Sequence, residues 1–238
     1  MINLSVITSR NPVPCDRLRL VSFSYNTNTE VKEDGQIVVL DVVAPDIAEL
    51  MGKLLSQGFV IHKAKPITFY SGDDDASMAD NNSSAFNGRA TTGGTTWSLH
   101  AYGAAIDINP LENPYVSVNE DGSAEVKPPQ AARYSLNRSQ FRPNKTARLG
   151  MAEEIVGTFA HHGFLIWGGD WNWPLDYQHF QIGPRSYVET LASSSYSQGA
   201  ILFTKHRDSY RDCQKTSNIN NEFARRKICV EQTLKSLR

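Results

Sequence analysis

The sequence has few cysteines, no long apolar run and almost no net charge. Three cysteines in 238 residues are too few for a dense disulfide framework, and none lies in a CxxC pair of the kind that binds zinc. No apolar stretch approaches the roughly 20 residues of a membrane-spanning helix. The formal net charge of −1 creates no overall field that would favour nucleic acid or an anionic membrane. We therefore expect no nucleic-acid partner, no membrane span and no cysteine ligand at a metal site.

Two features leave the cellular compartment open. Residues 1–10 lack the basic start and the apolar core of a secretory signal peptide. Either the protein acts in the cytoplasm, or it leaves the cytoplasm by a route other than a signal peptide, or a leader has been removed. Cys213 and Cys229 flank a polar stretch with helical character, where a bridge and two reduced thiols are both open. The cysteines therefore do not decide between an oxidising and a reducing compartment.

Short apolar runs and helical periodicity alternate along the chain. Strands or extended core segments are predicted at 18–23, 37–43, 59–61 and 67–70. A turn is predicted between the first two strands, at 33–36. Helices are predicted from Pro45 to Gly58, over about 147–162, and within 183–204.

Three stretches do not follow this alternation. Residues 71–84 are acidic and predict a mobile loop, since their acids are consecutive rather than spaced as in a calcium loop. Residues 110–145 form a long irregular excursion, which is typical of a binding loop or lid. Residues 205–238 carry nine Lys/Arg and four Asp/Glu. This basic helical tail docks on an anionic polymer or a partner, or, as we slightly favour, packs through Ile228, Val230 and Leu234.

The first motif with chemical content spans residues 97–109. Ile106 and Ile108 alternate with Asp107, which predicts a short strand with an apolar face and a carboxylate on the other face. His100 lies seven residues before Asp107. Aspartate and neutral histidine are both common ligands of a catalytic zinc ion.

A second motif, at 167–181, ends in another short strand with His179 on its polar face. If the two strands are neighbours, His179 joins His100 and Asp107. A catalytic zinc needs three protein ligands and one open position. Burying these polar side chains away from water costs free energy unless each of them finds a bonding partner. Asp176 would then be a second carboxylate near the metal without being a ligand.

Each residue also has an ordinary structural interpretation. A single histidine at the start of a strand more often serves local hydrogen bonds, and Asp107 alone could belong to a turn. Arg89, ahead of the first motif, is either a solvated surface residue or reaches the site. His161 and His162 are explained by the favourable interaction of cations with a helix C-terminus. Only the combination of the two motifs favours a metal site.

Together the motifs resemble those of the zinc peptidases that include D-alanyl-D-alanine carboxypeptidases and dipeptidases and L-alanyl-D-glutamate endopeptidases. The shared signature is Ser-x-His-x-x-x-x-x-x-Asp followed much later by Asp/Glu-x-x-His, here Ser98, His100, Asp107, Asp176 and His179. Trp-Gly-Gly-Asp-Trp at 167–171 and Phe-Asn-Gly-Arg at 86–89 resemble the branch found in phage and bacterial cell-wall enzymes. Many relatives carry Glu at the Asp176 position, and we interpret Asp as a marker of this branch. The resemblance covers roughly 60–185.

The resemblance implies an α+β fold in which helices pack against a small, mainly antiparallel sheet with zinc at its open face. It implies a peptidase domain over 1–190, with its motif-bearing core at about 60–185, and a C-terminal helical extension over 191–238. One Zn²⁺ would be bound by His100, Asp107 and His179.

The resemblance also assigns roles to the other site residues. Asp176 would be the general base toward a metal-activated water and would return the proton to the leaving amine. Arg89 would stabilise the oxyanion or hold a substrate carboxylate. Substrate would be bound by Arg89, Ser98, Asp170 and Trp171.

The leading expectation is therefore a monomeric enzyme that acts on the cell wall, in the periplasm or outside the cell. It would hydrolyse a peptidoglycan or muropeptide stem-peptide bond next to a D-amino acid, as a carboxypeptidase or as an endopeptidase. The alternative is a zinc-stabilised, non-catalytic binding module of the same fold, since the signalling domain of hedgehog proteins resembles this family and works by binding partners. A third expectation keeps the peptidase chemistry but uses it as a phage endolysin or a secreted antibacterial effector.

Overall fold

The computed structural model describes residues 1, 6–29, 31–91 and 93–237, and its fold is α+β, as the resemblance implies. Residues 2–5 and Arg238, which belong to the segments considered above for a leader and a basic tail, lie outside the described residues. The strands are β1 (Leu18–Asn26), β2 (Lys32–Leu40), β3 (Ala105–Asp107), β4 (Tyr115–Val118), β5 (Ala124–Lys127), β6 (Ile166–Trp167), β7 (Leu175–Asp176) and β8 (His179–Gln181). The helices are α1 (Ala44–Ser56), α2 (Asp74–Ala79), α3 (Val156–His161), α4 (Arg185–Ser193), α5 (Tyr196–Thr216) and α6 (Glu222–Lys235).

The strands form three small antiparallel sheets rather than one. The pair β1–β2 makes an N-terminal hairpin, the order β3–β8–β6 makes a central sheet, and β5–β4–β7 makes a third sheet beside it. The second and third sheets are linked because β7 leads directly into β8. This link places the polar ends of both sheets next to each other.

The N-terminal hairpin and α1 supply much of the core. Proline in the first turn of α1 suits a helix start, and the helix buries Ile47, Leu50 and Leu54 on one face. The turn predicted at 33–36 is wrong, because these residues lie inside β2. Gly35 serves close packing there: an added Cβ would lie 2.7 Å from the Cβ of Ala64.

Two other predicted elements differ in the structure. The expected extended segment Ile67–Tyr70 is a single turn of 3₁₀ helix. The expected helix over 147–162 is reduced to a 3₁₀ turn at Ala152–Glu154 followed by α3. Gly150 explains the shortening, because it has φ +81° and lies against Asn109, whose amide donates to the Gly150 carbonyl at 3.1 Å.

Both stretches predicted as irregular contain regular structure. The acidic loop includes α2, whose N-cap Asp73 accepts a hydrogen bond from the Ala76 amide at 3.0 Å. The excursion at 110–145 contains the hairpin β4–β5, which turns at Asn119–Gly122. Four-residue strands are too short to show a clear alternation, so the sequence pattern does not reveal them.

The C-terminal region is helical, as predicted. Ser195 caps α5 through a capping box with Gln198. Helix α6 packs through Cys229, with Val230 and Leu234 partly buried, but Ile228, which we expected to pack, is exposed. The division of the chain at 190 stays a prediction. Among the described residues, no helix combines the length and the apolar character needed to cross a membrane.

A disulfide joins Cys213 to Cys229 and staples α5 to α6. It decides between the two states left open by the sequence and is consistent with a location outside the cytoplasm.

The bond closes a loop of 16 residues. Replacing both cysteines by serine is expected to lower the free energy of unfolding by about 3 kcal/mol, because the unfolded chain regains loop entropy. Urea denaturation measures this loss. Cys15→Ser, at the exposed free cysteine, is the control and should leave stability unchanged.

A buried histidine predicts how stability depends on pH. His206 on α5 donates from Nε2 to the Ile182 carbonyl at 2.7 Å, and burial lowers its pKa to about 4. The unfolded chain, with a histidine pKa near 6.5, binds this proton at a higher pH than the folded chain does. Stability from this group is therefore present above about pH 6.5 and is lost as the pH falls toward 4, by about 2 kcal/mol at pH 5.

The test compares wild type with His206→Gln in urea at pH 7.5 and pH 5. A chelator is present throughout, so that metal release does not contribute. Glutamine keeps a donor for Ile182 but does not titrate. The variant should therefore lose less stability between the two pH values, and an equal loss in both proteins would contradict this role of His206.

Candidate metal centre

Strand pairing brings together two of the predicted metal ligands. In the antiparallel pair β3–β8, Asp107 lies directly opposite His179. The third, His100, lies on a 3₁₀ turn, Leu99–Tyr102, whose N-cap Ser98 accepts from the His100 amide at 3.3 Å. Gly103 ends this turn at φ +66°, where an added Cβ would lie 2.5 Å from the Leu40 amide nitrogen. Only glycine lets the turn approach the hairpin so closely.

The three side chains present one atom each to a common point. His100 Nε2 lies 3.1 Å from His179 Nδ1 and 3.2 Å from Asp107 Oδ2, and His179 Nδ1 lies 3.1 Å from Asp107 Oδ1. Ligands of a tetrahedral zinc ion lie about 3.3 Å apart. All three residues are buried. His100 Nε2, His179 Nδ1 and the two carboxylate oxygens of Asp107 thus have the identity, and about the separation, of zinc ligands.

Outer hydrogen bonds assign the tautomers of both histidines. His100 donates from Nδ1 to the Ala85 carbonyl at 2.6 Å, and His179 donates from Nε2 to Gln181 Oε1 at 2.9 Å. The lone pairs of His100 Nε2 and His179 Nδ1 therefore face each other inside the cluster. Two such lone pairs repel unless a proton or a metal ion lies between them, so the residues fit a cation, and two imidazoles with a carboxylate are the donor set of a zinc ion.

The electrostatics of the cluster also favour a bound cation. Burial alone would raise the pKa of the Asp107 carboxyl, but His100 and His179 hold that pKa well below its usual range. Burial alone would lower the pKa of His179, but its hydrogen bond to Asp107 and the negative charge there raise that pKa to about 8. The buried aspartate thus attracts positive charge into the site.

Asp176 lies beside the cluster and is not one of the three converging residues. Its Oδ1 is buried and has no hydrogen-bond partner in the described part of the chain. Burial, and next the charge of Asp107, raise the pKa of Asp176 to about 7. Gly168 packs directly against Asp176 and leaves no room for a Cβ. A fixed, unpaired carboxyl with a pKa near neutrality has the properties of a general base.

The cluster opens into a cavity of about 370 Å³. Arg89, Ser98 and Trp171 lie in its wall together with the His100, Asp107 and His179 cluster and Asp176, and their contact with substrate stays a prediction. The Arg89 Nη2 atom lies 2.7 Å from Asp74 Oδ2, and the ring centroids of Trp171 and His179 are 5.5 Å apart.

Asp170 is the predicted site residue that the structure does not bring to the cavity wall. Its carboxylate oxygens lie 2.7 Å from Arg226 Nη2 and 3.3 Å from Lys227 Nζ, both on α6. Asp170 therefore connects the loop before Trp171 to the C-terminal helix.

Sequence reasoning missed several other residues of the cavity wall, among them Tyr115, Lys127, Gln178 and Arg185. Lys127 ends β5, inside the excursion predicted as irregular. Arg185 begins α4 and donates to the Trp97 carbonyl at 2.7 Å. Gln178 is buried, and its Oε1 has no partner among the described residues. Only its position between Asp176 and His179 could have indicated, from the sequence, that Gln178 lies at the site.

The comparison with known proteins agrees with this geometry. Residues 92–182 match the sequence profile of the D-alanyl-D-alanine carboxypeptidase family. No curated protein and no solved structure matches the chain. The matched segment contains the metal cluster and Asp176, while Arg89, the N-terminal hairpin and α4–α6 lie outside it. The segment that is similar to the D-alanyl-D-alanine carboxypeptidase family is thus the one that contains His100, Asp107, Asp176 and His179.

Proposed function

We propose that this protein is a zinc-dependent peptidase that hydrolyses a peptidoglycan stem-peptide bond next to a D-amino acid. The observation that carries the proposal is the Asp176 carboxyl, which lies in the same cavity as the cluster of His100, Asp107 and His179 and whose buried Oδ1 has no hydrogen-bond partner among the described residues. A binding module needs the cluster alone. A hydrolase also needs a proton acceptor that the cluster does not consume.

Each residue then has a defined task. A bound zinc ion supplies a Lewis acid and lowers the pKa of a water molecule to about 7. Asp176 accepts a proton from the attacking water and returns it to the leaving amine, which typically contributes about 10²–10⁴-fold to the rate. Gln181 and Ala85 orient the two imidazoles through their outer nitrogens.

The cavity wall is suited to an anionic peptide. Arg89 is held by Asp74, and its Nε has no partner in the described part of the chain, so the guanidinium keeps donors for an oxyanion or a carboxylate. Lys127 and Arg185 add two further cations to the same wall. Trp171 offers an aromatic surface beside His179, and we retain Ser98, which caps the His100 turn, as a substrate contact.

Digestion of muropeptides with the purified, zinc-loaded chain tests the proposal. We expect about one zinc per chain by elemental analysis and cleaved stem peptides by mass spectrometry. Loss of the terminal alanine identifies a carboxypeptidase, whereas release of the stem from its first alanine identifies an endopeptidase. A chain that binds zinc and muropeptide but yields no product is the non-catalytic module, and that result overturns the proposal.

We place this activity outside the cytoplasm, on the cell wall, with a monomeric enzyme. Expression in a bacterial periplasm, with and without an added leader, tests the location. Lysis only with the leader would show that the chain depends on a foreign export route, as expected for an endolysin or an antibacterial effector.

A further inference from the structure

Six positive side chains of the C-terminal tail form ion pairs within the fold. The pairs are Arg207 and Arg211 with Asp46, Lys215 with Asp212, Arg226 and Lys227 with Asp170, and Lys235 with Glu231. The composition of the tail therefore overstates the positive charge that it offers to an anionic partner.

Uncompensated positive charge lies elsewhere, in residues 131–150, which we call the arginine loop. Between Glu125 and Glu153 the sequence has no acidic residue, while the loop contributes Arg133, Arg138, Arg142, Lys145 and Arg148. Arg138 pairs with Glu153 at 2.7 Å. The other four cations form no ion pair with any residue that the structure describes.

Local contacts hold these cations together. The guanidinium carbons of Arg133 and Arg148 both lie 4.9 Å from the ring centroid of Tyr134. Arg148 also donates to the Arg133 carbonyl at 3.1 Å and to the Asn137 carbonyl at 2.9 Å. Partial burial, and next the charge of Arg142, lower the pKa of Arg148. The cations therefore remain clustered against their mutual repulsion.

The same loop exposes large apolar side chains. Leu136 is 78% exposed, Phe141 is 74% exposed and Leu149 is 43% exposed. Exposed apolar side chains interleaved with unpaired cations are typical of surfaces that enter the headgroup region of an anionic bilayer. A soluble polyanion would engage the cations but would leave Leu136 and Phe141 in water.

We propose that the arginine loop is a docking surface for an anionic lipid bilayer, with the cations contacting headgroups and with Leu136 and Phe141 entering the interface. The first residues of the loop belong to a 3₁₀ helix, Pro129–Tyr134, which starts two residues after Lys127 in the cavity wall. Its Arg138 guanidinium lies 4.1 Å from the ring centroid of Tyr177, the neighbour of Asp176. Docking would therefore keep the metal centre close to the membrane surface.

The test is co-sedimentation of the full chain with vesicles of phosphatidylcholine, with or without phosphatidylglycerol. We expect binding to the anionic vesicles only, weakened by salt. Arg133→Gln with Lys145→Gln should weaken binding about fivefold for each cation removed. Leu136→Ser with Phe141→Ser should also weaken it, because the apolar contribution is lost.

A matched control comes from another exposed aromatic–cation pair. Lys65 Nζ lies 5.3 Å from the ring centroid of Phe69, far from the loop in sequence, so Lys65→Gln with Phe69→Ser should bind like wild type. All three double variants should cleave soluble muropeptides at the wild-type rate, which separates docking from catalysis. The proposal is overturned if Leu136→Ser with Phe141→Ser binds anionic vesicles as tightly as wild type. It is also overturned if the Lys65/Phe69 control loses as much binding as the loop variants. Binding of soluble polyphosphate as tight as that of vesicles would also overturn it.

Discussion

Replacing His179 by alanine is expected to abolish both zinc binding and peptide hydrolysis. His179 Nδ1 lies 3.1 Å from a donor atom on each of the other two residues of the cluster, so its loss leaves only two protein ligands. Two ligands do not hold a catalytic zinc ion, which takes three from the protein. Elemental analysis after dialysis should find no zinc in the variant and about one per chain in wild type.

Thermal unfolding gives a second readout that does not depend on substrate. A metal that binds only the folded chain raises its stability, so a chelator should lower the melting temperature of wild type but not that of His179→Ala. His161→Ala is the control, because His161 lies at the end of α3, outside the metal cluster, and the variant should keep its zinc. One tightly held zinc in His179→Ala would place the metal site elsewhere.

The cluster of His100, Asp107 and His179, the candidate metal centre, was predictable because it is encoded by short local patterns. Asp107 and His179 each lie on the polar side of a short apolar strand, and the strands pair in the register that this alternation favours. His100 follows from its position on a capped turn before β3. Asp176 precedes β8 by a short connection, so that its distance from the cluster is limited by the chain itself.

The rest of the cavity wall was not predictable, because it depends on long-range packing. Lys127 reaches the site only because β4 pairs with both β5 and β7, and neither pairing is visible in the sequence. Arg185 reaches it through the carbonyl of Trp97, 88 residues earlier. Asp170 shows the opposite case: it lies within a recognisable motif, but Arg226 on a helix outside the matched segment binds its carboxylate.

The basic character of the surface shows the same limit. A count of charges along the sequence identifies residues 205–238 as basic. Asp46 and Asp170, remote in sequence, form ion pairs with four of the cations in that segment. The arginine loop was described only by its irregularity. Free charge on a surface is a property of tertiary pairing, and composition does not report it.

Replacing Asp176 by asparagine is expected to lower the rate of hydrolysis by about 10²–10⁴-fold, because asparagine cannot accept a proton. Zinc content should stay at about one per chain, since Asp176 is not one of the three ligands. The predicted signature is a large fall in kcat with little change in zinc affinity. Rates are measured on a soluble muropeptide by chromatography.

The pH profile tests the same assignment in the native chain. In the metal-free chain the pKa of Asp176 is raised to about 7, first by burial and then by Asp107. Bound zinc adds positive charge nearby and lowers this pKa, so the acidic limb of kcat should lie below pH 7. Only the ionised carboxylate accepts a proton, and activity therefore falls as the pH drops through that limb.

Two further variants show whether the effect belongs to Asp176 itself. Asp176→Glu keeps a carboxylate and should retain measurable activity, because glutamate can still accept a proton. Asp170→Asn changes the carboxylate that contacts Arg226. In this variant kcat should fall at acidic pH in the same way as it does in wild type. If Asp176→Asn cleaved at the wild-type rate with zinc bound, or if Asp170→Asn lost the limb instead, the proton would be carried by a different group. The buried, unpaired carboxyl would then be a structural feature of the cavity, and the case for hydrolysis would have to be made without it.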